Sequence, residues 1–176
     1  MQALILGGAR SGKSAFAERV AQHSGQPVVY IATAQAHDHE MQQRIAHHRT
    51  ARPAHWLTVE EPLALATCLQ QHAAPERLLL VDCLTLWLTN LLCLDDENRL
   101  QMETQALLTG LAQLPCDVLL VSNEVGLGVV PLGELTRRYL DTAGRLHQQL
   151  AAQLPHVTFL VAGLPQTLKG TPLCIG

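Results

Sequence analysis

An apolar run, Ala3-Leu4-Ile5-Leu6, leads directly into Gly7-Gly8-Ala9-Arg10-Ser11-Gly12-Lys13-Ser14, which fits G-x-x-x-x-G-K-[ST] at every fixed position. The order is strand, glycine turn, helix. The glycines let consecutive backbone N–H groups curl around an anion without a Cβ in the way. The helix that follows adds the partial positive charge of its N-terminus. Lys13 is expected to reach the β- and γ-phosphates of a nucleotide, and the Ser14 hydroxyl to ligate Mg²⁺. Only one other lysine, Lys169, occurs in the chain, so a lysine at the motif position is not one of many scattered charges.

A phosphate loop of this kind needs a sheet behind it, and the rest of the chain supplies one. Short apolar runs at 3–6, 27–33, 78–82, 117–122 and 157–162 show no apolar/polar alternation, as expected of parallel strands covered on both faces. Helical segments are expected between them at 13–23, 38–49, 62–72, 84–92, 98–114 and 133–154. Repeated strand–helix–strand order gives an α/β fold with a mainly parallel central sheet and right-handed crossovers. No linker, repeat or low-complexity segment interrupts the 176 residues, so residues 1–176 are expected to form a single nucleotide-binding domain.

Composition excludes several functions. The formal net charge is −3, which gives no basic field to attract nucleic acid. Aromatic residues make up 3%, too few for a base-stacking platform. The 78–94 stretch is apolar, but it is shorter than the ~20 residues needed for a membrane span and carries Asp82 and Asn90. Five cysteines without Cys-x-x-Cys spacing suggest free thiols in a reducing cytoplasm rather than disulfides or a zinc knuckle. The N-terminus has no basic region before its apolar run, so no secretory leader is expected. Charged residues are only 15% of the chain, against about 25% in typical proteins. So uncharged a surface suggests self-association, with helix 84–92 or 133–154 as the contact.

Ligands of open α/β sheets bind at the carboxyl ends of the strands. Asp82 ends Leu78-Leu79-Leu80-Val81-Asp82 and is the expected Mg²⁺-holding acid, with helix capping as a compatible second role. Asn123-Glu124 ends the next strand at the same edge. Nine histidines are present, and His37, His39, His47 and His48 crowd one segment. Spacing alone leaves three readings open there. His37, Asp38, His39 and Glu40 could ligate a metal, although no zinc spacing is matched. The segment could be a solvated helical face. Or the imidazole of His48 could attack phosphorus while Arg49 and Arg52 stabilise charge on the phosphate oxygens.

Five blocks in this order carry a resemblance: GGARSGKS, YIATAQ, RIAHHRTARPAHWLTVEEP, LLLVDCLTLWLTNLL and VSNEVGLGVVP. Together they resemble the bifunctional adenosylcobinamide kinase / adenosylcobinamide-phosphate guanylyltransferase family of cobalamin biosynthesis, over nearly the whole chain. The resemblance implies a RecA-like P-loop domain, a homotrimer, and two reactions. A nucleoside triphosphate, ATP or GTP, phosphorylates the aminopropanol hydroxyl of adenosylcobinamide. GTP then gives GMP to adenosylcobinamide phosphate through a GMP-histidine intermediate, releasing pyrophosphate. The resemblance places the nucleophile at His48 and the nucleotide contacts at Gly7 through Ser14, at Thr33, Ala34 and Gln35, at Arg49, Thr50, Ala51 and Arg52, and at Glu60 and Asp82. The His-bearing segment is expected to move as a lid between the two reactions. The residues alone are also compatible with another small-molecule P-loop kinase, or with a regulatory ATPase that does no chemistry on a metabolite.

Overall fold

The computed structural model describes residues 1–35 and 53–175. The expected helix at 38–49, the histidines at 37, 39, 47 and 48, the lid, and Arg49, Thr50, Ala51 and Arg52 lie outside the described residues.

Seven strands form one sheet: β1 (Gln2–Gly7), β2 (Val28–Ala32), β3 (Leu57–Glu60), β4 (Leu78–Asp82), β5 (Asp117–Asn123), β6 (His156–Val161) and β7 (Leu164–Lys169). Their order is β3-β2-β4-β5-β1-β6-β7. Every pairing is parallel except β6 with β7. Five helices are described: α1 (Lys13–His23), α2 (Leu65–His72), α3 (Leu84–Cys93), α4 (Glu97–Leu111) and α5 (Glu134–Gln153).

The strand side chains divide between two cores. Ala3, Ile5, Tyr30, Leu80 and Val121 face α1, where Phe16, Ala17 and Val20 cover them. Leu4, Leu6, Ile31, Val81 and Leu120 face the opposite layer, where Leu69 of α2, Trp87 of α3, Leu107 of α4 and Leu150 of α5 meet. The sheet is thus buried on both sides, which is why its strands read as unbroken apolar runs.

Two strands have no such run. β3 is a four-residue edge strand with Leu57 about half exposed, and β7 is exposed throughout and contains Pro165. Edge strands need only one partner and little burial, so their sequences carry a weak signal. Ala162 and Gly163, both with positive φ, turn β6 back into β7, so the expected strand end at 162 is instead a hairpin turn. Helix α2 starts at Leu65 rather than 62, because the Glu61 carboxylate accepts from the amides of Leu63 and Ala64 and holds that turn outside the helix.

The apolar 78–94 stretch splits into β4 and α3, and no described helix is long and apolar enough to cross a membrane. Leu84, Trp87, Leu88, Leu91 and Leu92 of α3 are buried in this chain's own core. Helix α3 is therefore not the self-association surface its composition suggested. The most exposed apolar residues lie instead on the segment before α5, where Leu127 is 80% exposed and Val129 and Leu132 are each 96% exposed, and Leu135 at the start of α5 is exposed as well.

Candidate active site

The phosphate loop is held in shape by residues that can take unusual backbone angles. Gly7 has φ +155°, Arg10 +57° and Gly12 +93°. The Ser11 amide donates to the Gly8 carbonyl at 3.2 Å, and the Gly163 amide donates to the Ser11 carbonyl at 2.9 Å. The hairpin turn between β6 and β7 thus braces the loop from behind. A Cβ on Gly12 would lie 3.3 Å from the Cα of Gly163, so glycine at both positions lets turn and loop approach closely.

Lys13 opens α1 and is only 7% exposed. Its ammonium donates to the Gly8 carbonyl at 2.7 Å, with Ser11 Oγ at 3.5 Å. Burial lowers its pKa, while the nearby Cys83 and Asp82 oppose that fall. Ser14 is half-buried one residue further along the helix, and Ala9 and Arg10 are exposed at the tip of the loop.

The expected acid, Asp82, is the last residue of β4, with β5 between it and β1. Its Oδ2 accepts from the Tyr30 hydroxyl at 2.6 Å. The next residue, Cys83, is no nucleophile: burial, helped by the Asp82 charge, pushes its thiol up to about 11. Thr33 is fully buried. Its hydroxyl donates to the Cys83 carbonyl at 2.7 Å and accepts from the Cys83 amide at 3.0 Å. Asn90 Nδ2 donates to the Thr33 carbonyl at 2.8 Å. Thr33 therefore clamps the end of β2 to the end of β4. Ala34 and Gln35 follow it, half-buried, and Glu60 ends β3 in register with Ala32.

Gly7, Thr33, Glu60, Asp82 and Glu124 consequently share the carboxyl edge of the parallel strands, where open α/β sheets bind ligands. Sequence reasoning missed three contributors to this edge. They are Tyr30 beneath Asp82, Gly163 behind the loop, and His147 of α5. His147 Nε2 lies 2.8 Å from Ser122 Oγ, and its Nδ1 lies 3.6 Å from Glu124 Oε2. Each contact joins residues far apart in sequence, so no local pattern announces it.

This phosphate loop, backed by a mainly parallel sheet with an acid ending the second strand over, defines a P-loop NTPase of RecA-like architecture. The RadB recombinase structure has the same fold, with a TM-score of 0.56 at 14% identity over 99% of this chain and 83% of that one. A Pyrococcus horikoshii OT3 structure aligns with a TM-score of 0.57 at 8% identity, over 97% and 87% of the two chains. Within that class, the chain belongs to the family described as cobinamide kinase / cobinamide phosphate guanyltransferase, which it matches over residues 3–168. It is 65% identical to the bifunctional adenosylcobalamin biosynthesis protein CobP of Pseudomonas aeruginosa, over 98% of this chain and all of that one. It is 41% identical to the CobU proteins of Escherichia coli and Salmonella typhimurium, in each case over 96% of this chain and all of the relative.

Proposed function

We propose that this protein carries out both reactions of its family on one nucleotide site, phosphorylating adenosylcobinamide and then guanylylating the product through His48. The single observation that carries the reading is the edge just described: a phosphate loop whose buried lysine sits within the electrostatic reach of Asp82, in a chain of this family. In the first reaction the aminopropanol hydroxyl of adenosylcobinamide attacks the γ-phosphorus of ATP or GTP, and the bridging oxygen leaves with the diphosphate. In the second, the imidazole of His48 attacks the α-phosphorus of GTP and pyrophosphate leaves. A phosphate oxygen of adenosylcobinamide phosphate then attacks the same phosphorus and frees the histidine. An imidazole with an ordinary pKa near 6.5 is substantially neutral at pH 7 and able to attack. Arg49 and Arg52 would neutralise the phosphate oxygens, with Thr50 and Ala51 between them, while Thr33, Ala34, Gln35 and Glu60 would contact the nucleotide.

Lys13 and the loop amides serve both reactions by stabilising negative charge on the β- and γ-phosphates. Mg²⁺ suits the site chemically. Ser14 and Asp82 are hard oxygen donors, and no described cluster of three or more His, Cys, Asp or Glu forms a separate metal cage. Mg²⁺ is usually held by one or two protein oxygens plus phosphates, which matches such a pair. When bound, it neutralises charge on the phosphate oxygens.

A homotrimer is the proposed assembly, supported by the exposed apolar residues Leu127, Val129 and Leu132, which a subunit contact would cover. A cytoplasmic location is proposed from the five cysteines, all of which are free thiols. Sedimentation at micromolar protein should give a trimer, and a monomer would refute the assembly.

The test of the chemistry is a labelling experiment. The protein is incubated with Mg²⁺ and GTP labelled at the α-phosphate, then denatured. An acid-labile, alkali-stable adduct should form, disappear in His48→Ala and survive in His47→Ala. No adduct in wild-type protein that consumes GTP would sink the guanylyltransferase reading.

A further inference from the structure

We infer that Glu124 accepts the proton of the attacking hydroxyl in the phosphoryl-transfer reaction, and that His147 positions it. This rests on the kinase reading above and deepens it.

Four carboxylates lie at or just past the described carboxyl edge of the parallel sheet, Glu60, Glu61, Asp82 and Glu124, and that of Glu61 is taken up by the Leu63 and Ala64 amides. Glu60 ends β3, and β2, β4 and β5 lie between it and β1. At about 4.8 Å per strand spacing, that places it roughly 19 Å from the strand that carries the phosphate loop. Asp82 is engaged by the Tyr30 hydroxyl and suits the metal role. The position after Asp82 is Cys83 and offers no carboxylate. Glu124 follows β5, the strand hydrogen-bonded to β1, and its amide donates to the Gly7 carbonyl at 3.0 Å. It is therefore tied directly to the first residue of the phosphate loop.

The carboxylate is also held as a proton acceptor would be. Glu124 Oε1 accepts from the Gly126 amide at 2.6 Å. Its Oε2 faces His147 Nδ1 at 3.6 Å, a long polar contact that orients the carboxyl while leaving this oxygen able to accept from a new donor. The Glu124 side chain is 22% exposed, enough for a substrate hydroxyl to reach. His147 itself is only 7% exposed, and its ring is anchored through Nε2 to Ser122 Oγ at 2.8 Å. Its Nδ1 is buried without a hydrogen-bond partner and aims at the carboxylate.

The reaction balances on these groups. The hydroxyl oxygen bonds to the γ-phosphorus, and the bond from that phosphorus to the bridging oxygen breaks, its electron pair leaving with the diphosphate. The hydroxyl proton passes to Glu124 and from there to water. A positioned base of this kind typically contributes about 10²–10⁴-fold.

The deciding experiment measures the two half-reactions separately in Glu124→Gln, His147→Leu and His147→Asn. Phosphorylation of adenosylcobinamide by ATP reports one, and adduct formation from α-labelled GTP reports the other. Glu124→Gln should lower the kinase kcat about 100-fold or more, with adduct formation and the nucleotide KM within threefold of wild type. His147→Leu should lower the kinase kcat about tenfold, and His147→Asn, which restores a polar atom near Nδ1, should recover most of it. A kinase kcat within threefold of wild type in Glu124→Gln would overturn the inference. So would a parallel fall in both half-reactions, which would make Glu124 a structural part of the loop. Wild-type protein unable to phosphorylate adenosylcobinamide would instead overturn the functional reading beneath it.

Discussion

The Lys13 ammonium donates to the carbonyl of Gly8 across 2.7 Å, so the lysine lies folded back along the inner wall of its own loop. A phosphate entering the loop meets a charge already in place, in an environment that excludes most water. Lys13→Ala removes that charge while leaving the glycine turn intact. Both kinase activity and adduct formation should fall, each about 100-fold or more, because both reactions develop charge on the same phosphates. Kinase activity persisting at the wild-type level would mean that the two reactions do not share this site.

The Tyr30 hydroxyl fixes one oxygen of Asp82 and leaves the other available. Residues that orient a ligand from behind typically change metal affinity by 10–100-fold when removed. Tyr30→Phe should therefore raise the Mg²⁺ concentration for half-maximal activity about tenfold, with the maximal rate at saturating Mg²⁺ little changed. An unchanged Mg²⁺ requirement would remove Asp82 from the metal role.

How far the sequence discloses this arrangement depends on how local each contact is. The phosphate loop is legible because its turn, its lysine and its helix are consecutive residues, and helix α1 begins and ends where its pattern predicts, at Lys13 and His23. Asp82 is legible because a buried strand ends on it. Tyr30 and Asp82 are 52 residues apart, and His147 and Ser122 are 25 apart, so only the assembled sheet brings them together. Strands β3 and β7 escape notice because an edge strand need not be apolar. Helix α3 misleads for the opposite reason. Its apolar surface looks unpartnered in sequence, but Trp87 and its neighbours are packed inside the chain's own core.

Gly7 tests the loop's geometry independently of its charge. A Cβ there would lie 2.5 Å from the Leu160 carbonyl oxygen and 2.6 Å from Ser11 Oγ. The serine could rotate away, but the β6 backbone cannot. Gly7→Ala should destabilise the fold by about 2 kcal/mol. At about 2–4 °C per kcal/mol for a domain of this size, the melting temperature should drop by roughly 4–8 °C. Gly8→Ala is the control, since nothing lies within 4 Å of a Cβ at that position. Equal melting temperatures for the two variants would show that the approach of β6 to the loop does not restrict position 7.

His147 gives the stability a pH dependence whose sign follows from its burial. Burial lowers its pKa below the usual 6.5, and the neighbouring Glu124 charge only partly opposes that. In the unfolded chain the imidazole takes up a proton as pH falls through about 6.5, while the native one resists it until lower pH. Over that window the unfolded state binds more protons, so stability declines as the solution is acidified. Above about pH 7 neither state is protonated at this site and its contribution is fully present. The loss can reach about 1.4 kcal/mol per pH unit for one proton. Urea unfolding of wild type and His147→Asn at pH 8, 7, 6.5 and 5 isolates this group, because every other titrating residue is common to the two proteins. The variant should lose less stability than wild type between pH 6.5 and 5 and show the same difference at pH 8 as at pH 7. Parallel curves across the acid range would mean that His147 takes up its proton without cost, and that Glu124 compensates its burial completely.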